Sequence, residues 1–66
     1  MKVGIIGLGL MGGSFSRDIK NIYKKSKIFG LDSSKSNFQM SIELKLIDGK
    51  LDDNNISKMD IVLISV

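Results

Sequence analysis

Apolar positions along the chain fall into short blocks whose spacing alternates between two periods. Val3, Ile5 and Ile6 form a β-branched run that stops at Gly7, the pattern of a short buried strand in which Gly4 allows close backbone approach. Residues 7–13 form a glycine-rich turn. From about Leu10 to Lys25 the period becomes helical. Met11, Phe15, Ile19 and Ile22 recur on one face, which predicts an amphipathic helix with that stripe against a core. Lys24-Lys25-Ser26 reads as its C-terminus. Lys27 to Leu31 predicts a second strand, and Asp32-Ser33-Ser34 supplies N-cap chemistry for a second helix. Phe38, Ile42 and Leu46 give that helix its apolar face, broadened by Met40, Leu44 and Ile47. Asp48-Gly49-Lys50 is a turn signal, with a weakly marked third strand near residues 49–51. After a polar stretch, the run from Ile61 to Val66 has the near-continuous apolar character of a central strand buried on both faces. Strand and helix alternate, so the expected class is α/β, a parallel sheet with right-handed crossovers.

Composition narrows the chemistry. The 66 residues contain no Cys and no His, which excludes disulfides, Cys/His zinc sites, thiol nucleophiles and a histidine acid or base. Apolar residues make up 42% of the chain, too many for a disordered segment. A chain this short buries only about 60% of its unfolded surface, and nothing staples it, so it reads as a piece of a larger fold. The longest apolar stretches fall well short of the roughly 20 residues that span a membrane. Met1-Lys2 followed by Val3 to Leu10 superficially resembles a signal peptide, but five glycines between Gly4 and Gly13 would make a poor helical h-region. A reducing, cytoplasmic setting is expected.

Net charge is +3, and Lys20, Lys24, Lys25 and Lys27 account for four of the ten basic residues. A nucleic-acid patch would interleave aromatics, and only Tyr23 is near, so no nucleic-acid partner is expected. The cluster reads as a solvated helix end whose cations oppose the helix dipole.

One motif carries chemistry. Gly7-Leu8-Gly9-Leu10-Met11-Gly12 matches G-x-G-x-x-G. The pattern alone is weak, but here it follows a predicted strand, opens a predicted helix, and has Asp32 about twenty residues beyond Gly12, at the end of the next strand. In that setting Gly7 permits the tight turn, Gly9 lets backbone approach a pyrophosphate, and Gly12 lets the helix pack closely. The N–H groups around Leu10 and Met11 are unpaired donors at a helix start, suited to a phosphate oxygen. Asp32 would accept ribose hydroxyls, and its charge would repel a 2′-phosphate, which favours NAD over NADP. No Arg follows; Ser33, Ser34 and Lys35 do, and Lys35 would offset part of that repulsion. The cofactor contacts expected are Gly7, Gly9, Leu10, Met11, Gly12, Asp32 and Ser33, with no metal. The blander alternative makes the glycines turn and packing residues and Asp32 a helix cap. A P-loop is excluded because no Gly-Lys-[Ser/Thr] follows.

The opening Met1 to Ser14, with Gly12-Gly13-Ser14 after Gly-Leu-Gly-Leu-Met, resembles the N-terminus of the prephenate dehydrogenase family, including its arogenate-using members. Phe29-Gly30-Leu31-Asp32 is similar to the family's second strand and ribose-binding acid. Glu43-Leu44-Lys45-Leu46-Ile47-Asp48 resembles its Glu-Leu-Gly-Leu-Ile-Asp segment, with Lys45 where the family commonly has Gly. Asp60 to Val66 looks like a strand that usually continues into Pro. The resemblance implies a Rossmann-type parallel sheet with flanking helices, of which residues 1–66 are the N-terminal portion of an incomplete dinucleotide-binding domain. It further implies NAD-dependent oxidative decarboxylation of prephenate to 4-hydroxyphenylpyruvate in tyrosine biosynthesis, by a homodimeric parent enzyme. The family's catalytic His and substrate-binding Arg would lie beyond residue 66, so no catalytic residue is assigned and this chain alone is expected to be inactive. Ser65 and Val66 match a strand end that approaches the cofactor.

Two other readings share the loop. One is a different NAD(P)-dependent oxidoreductase, of the hydroxyacid dehydrogenase or imine reductase type. The other is a non-catalytic nucleotide-sensing domain, although such domains usually continue Arg-Phe-Gly where this chain has Leu-Met-Gly-Gly.

Overall fold

In the computed structural model residues 1–65 are described, apart from the side chains of residues 10–13. The elements run β1 (Lys2–Ile6), α1 (Leu10–Ile22), β2 (Lys27–Leu31), α2 (Lys35–Glu43), β3 (Gly49–Lys50), a 3-10 turn (Ile56–Lys58) and β4 (Ile61–Ile64). The four strands make one parallel sheet in the order β3-β2-β1-β4. The expected α/β class with a parallel sheet is therefore what the chain adopts, and the weakly signalled third strand is present. Successive strands step outward from β1 to β3, and then the chain returns to the far side of β1. The strand order thus reverses beside β1.

The core lies where α1 and α2 cover one face of the sheet. Val3, Ile5, Leu8, Ile28 and Ile47 are buried there, with Ile19, Phe38, Ile42 and Leu63 packed against them. On the opposite face Leu51 and Met59 close over Gly4: a β-carbon at Gly4 would lie 3.1 Å from Leu51 Cδ1 and 3.3 Å from Met59 Cγ. That is the close approach the sequence anticipates at Gly4.

Three expectations are corrected. First, α1 ends at Ile22, with Tyr23 as C-cap, so Lys24 and Lys25 lie in the turn beyond it and Lys27 opens β2. Only Lys20 sits in the last turn of the helix. The chain must leave the helix early because β2 pairs with β1 from Lys27 onward, opposite Lys2. Second, the buried stripe of α1 is rotated. Ser16 is fully buried and Ile19 packs on the core, whereas Phe15 and Ile22 are exposed and Met11 lies outside the described residues. Ser16 thus takes the inward position that the apolar pattern assigns to its neighbour Phe15. Third, β4 is an edge strand among the described residues. It pairs with β1 alone, and Ile61, Val62 and Ile64 are exposed rather than buried on both faces.

Two aspartates fix strand register by the same device. Before β3, the Asp48 N–H donates to the Ile28 carbonyl (2.7 Å) while the Ile28 N–H donates to Asp48 Oδ2 (2.8 Å). Before β4, the Asp60 N–H donates to the Lys2 carbonyl (2.8 Å) while the Lys2 N–H donates to Asp60 Oδ2 (2.7 Å). Each carboxylate replaces a ladder carbonyl at the point where the new strand begins. Lys20 Nζ also donates to Asp48 Oδ1 at 3.0 Å and ties α1 to this corner. Partial burial alone would raise the Asp48 pKa, but the Ile28 N–H and the Lys20 charge outweigh it and hold the carboxyl below its ordinary value of 3.8. A depressed folded-state pKa gives stability that is complete above the unfolded value and is lost as pH falls through the folded one. Melting temperature should therefore hold between about pH 7 and pH 5 and decline below about pH 4. Asp48→Asn should lower stability at pH 7 and make the decline shallower; an unaltered acid limb in thermal melts would contradict this.

The end of α2 explains the departure at Lys45. Leu44 is the C-cap, the Lys45 N–H donates to the Ile42 carbonyl, and the Leu46 N–H donates to the Ser41 carbonyl. This is a Schellman turn, which needs a left-handed residue just after the cap. Lys45 occupies it at φ 57°, the one positive φ at a non-glycine among the described residues. Lys45→Gly should relieve the clash of its β-carbon with the following carbonyl and stabilise the fold by about 1 kcal/mol. Urea denaturation reads this directly, and an unchanged or lower midpoint would count against it.

Candidate functional site

The carboxyl ends of β1, β2 and β4 surround an open cleft of about 580 Å³, lined by Ile6, Gly7, Gly9, Leu31, Asp32 and Ser33, with Asn37 and Ser65 completing it. Clefts outside the strand ends, where strand order reverses, are where open α/β sheets place ligands. Of the residues singled out from the sequence, Gly7, Gly9, Asp32, Ser33 and Ser65 all meet here. Leu10, Met11 and Gly12 lie in the first turn of α1, where only the backbone is described, and Val66 lies outside the described residues.

The glycine loop is built around one buried anchor. Leu8 is buried and lies over Gly30, where an added β-carbon would sit 2.8 Å from Leu8 Cδ2. With Leu8 turned inward, its neighbours on either side turn toward the cleft. Gly7 is held from both sides. Its N–H donates to the Leu31 carbonyl at 2.7 Å, and the Ser65 N–H donates to the Ile6 carbonyl at 2.7 Å. Its φ is +95°, and a β-carbon would fall 1.8 Å from the Ser65 carbonyl oxygen. Only glycine fits that position.

Gly9 is different. Its φ of −68° is open to any residue, and a β-carbon would meet nothing within 4 Å. No contact within the described residues requires a glycine there. Gly9 is also the N-cap of α1, which receives no side-chain cap and has no acid in its first turn. By contrast α2 is capped internally, its Ser34 Oγ accepting the Asn37 N–H at 3.3 Å. The first turn of α1 thus presents the orphan N–H donors and positive dipole end that suit an anion.

Asp32 joins the loop to the second helix. Its Oδ1 accepts the Ser34 N–H at 2.8 Å, and its Oδ2 accepts the Leu8 N–H at 2.6 Å and Asn37 Nδ2 at 3.4 Å. The Ser34 and Leu8 donors hold the carboxyl below its ordinary pKa against the opposing effect of partial desolvation, with Asn37 assisting. It is anionic throughout the neutral range. The two readings of Asp32 are thus not exclusive, because the residue both organises the start of α2 and faces the cleft. Ser33 is exposed at the rim.

Sequence reasoning overlooked Leu8 as the anchor and Asn37 as a cleft residue. The signal for Asn37 was its place three residues after the Ser34 cap, where a side chain commonly reaches back toward the helix start.

No protein-family model matches this sequence, and a search of curated proteins finds no match. Among the described residues no group of His, Cys, Asp and Glu is placed to hold a metal ion, and no helix is long and apolar enough to cross a membrane.

Proposed function

We propose that this chain forms the adenosine- and pyrophosphate-holding part of a Rossmann-type NAD site. The observation that carries this reading is Gly9, a glycine that no contact among the described residues requires, set at the uncapped start of a helix beside an open cleft. A pyrophosphate lying against the backbone accounts for the missing side chain and for the missing cap together. Asp32 faces the same cleft as an anion and would accept a ribose hydroxyl, disfavouring a 2′-phosphate. The floor offered to adenosine is apolar, from Ile6 and Leu31.

The parent reaction follows from the resemblance of the Gly-Leu-Gly-Leu-Met-Gly-Gly-Ser segment: an NAD-dependent dehydrogenase acting on prephenate or arogenate, in the cytoplasm, as a homodimer. NAD, when bound, supplies the hydride acceptor. This chain's own residues bind and orient the cofactor and carry no catalytic group, since they include no His and a single Arg, Arg17, on α1.

Calorimetric titration of the chain with NAD and NADP tests the cofactor reading. NAD should bind more tightly than NADP, and Asp32→Ala should weaken NAD about ten-fold while narrowing that preference. Tighter binding of NADP, or an Asp32→Ala variant that folds and keeps full NAD affinity, would remove Asp32 from this role.

A further inference from the structure

We infer that Asn37 is a second sugar-recognising residue, and that its amide carbonyl accepts the ribose hydroxyl for which Asp32 has no room. The inference rests on the nucleotide reading above. A carboxylate offers about four acceptor positions, two on each oxygen. On Asp32, both positions of Oδ2 are taken, by the Leu8 N–H and by Asn37 Nδ2, and one position of Oδ1 is taken by the Ser34 N–H. One position remains. A ribose presents two neighbouring hydroxyls, and a second acceptor in the cleft would complete their recognition.

Asn37 is placed to supply it. It stands three residues after the Ser34 cap, where a capping-box side chain would reach back to the cap's own N–H. Here Asp32 already takes that N–H, so the Asn37 side chain is released from capping duty and turns to Asp32 and the cleft instead. The orientation of its amide follows from chemistry. A carboxylate only accepts, so the NH2 end must face Asp32 and the carbonyl end is left over. That carbonyl oxygen has no hydrogen bond to any described residue. The residue is half-buried and held by α2, its backbone N–H on Ser34 Oγ and its backbone carbonyl accepting Ser41 Oγ at 2.9 Å. The acceptor is therefore carried by a side chain held between α2 and Asp32, in the lining of the same cleft.

The test compares ADP, 2′-deoxy-ADP and 3′-deoxy-ADP on the unmodified 66-residue chain and on Asn37→Leu, with Asn37→Ala as a smaller replacement and thermal melting as the folding control. On the unmodified chain each deoxy analogue should bind about three- to ten-fold more weakly than ADP, one lost hydrogen bond apiece. On a folded Asn37 variant, one of the two penalties should vanish, because the acceptor for that hydroxyl is gone, while the penalty at the hydroxyl on Asp32 should persist. ADP binding with both penalties unchanged in the variants overturns the role of Asn37 and leaves the nucleotide reading standing. Failure of ADP to bind the unmodified chain at all overturns both.

Discussion

Gly7→Ala should cost this protein most of its stability. Two independent penalties coincide at that position. The backbone lies at φ +95°, where L-residues with a β-carbon are strained, and the β-carbon would overlap the Ser65 main-chain carbonyl at 1.8 Å. That carbonyl belongs to the residue whose N–H donates to Ile6 and closes the end of β4 against β1. Relief would require turning the Ser65 carbonyl away from the loop or shifting Gly7 out of it. A loss of about 3 kcal/mol or more is expected, against a total of about 3–10 kcal/mol for a chain of this size. Urea or thermal denaturation should show a variant largely unfolded at 25 °C. A variant melting close to the unmodified chain would mean that the loop and the end of β4 are not packed as described.

The second large effect is expected two residues on, with the opposite signature. Gly9→Val should leave folding nearly intact and damage binding. Its φ is ordinary and its β-carbon would project into open space, so the change in stability should stay within about 1 kcal/mol. The same methyl groups would stand where a pyrophosphate has to meet the start of α1. NAD affinity should fall about ten-fold or more, which is about 1.4 kcal/mol of binding energy. Calorimetric titration beside a thermal melt separates the two readouts. Wild-type affinity in a folded Gly9→Val chain would remove the argument for a ligand at the loop. Together the two glycines divide the motif: the fold requires Gly7, and Gly9 is the one we propose for a ligand.

The motif itself does not reveal that division. G-x-G-x-x-G, the strand before it and Asp32 after it are local features, and the sequence makes them legible. So are β2, whose five residues were bounded by charge and turn chemistry, and the Ser34 cap. What escaped the sequence is set by contacts between distant parts of the chain. The Leu8 N–H meets Asp32 across 24 positions, and Lys20 meets Asp48 across 28. The stripe on α1 is misplaced because hydrophobicity marks Phe15 and Ile22 as inward, while the fold buries Ser16 and leaves both exposed. Strand β4 read as central because its composition is apolar on both faces, and composition does not say which strands lie beside it. The Lys45 departure was visible as an odd residue, but its cause, a left-handed turn after Leu44, is a backbone property.

We propose that the strand-end cleft binds a dinucleotide through the glycine loop, Asp32 and Asn37. The most direct test of this proposal is a 1H–15N correlation spectrum of the 66-residue chain titrated with NAD. Saturable shifts should concentrate on the backbone amides of Gly7, Leu8, Gly9, Ser33, Ser34 and Asn37, and on the Asn37 side-chain amide. The corner of Lys20 and Asp48 and the 3-10 turn at Ile56–Lys58 should stay still. A spectrum that does not change at millimolar NAD, or shifts confined to surfaces away from the cleft, would contradict the account.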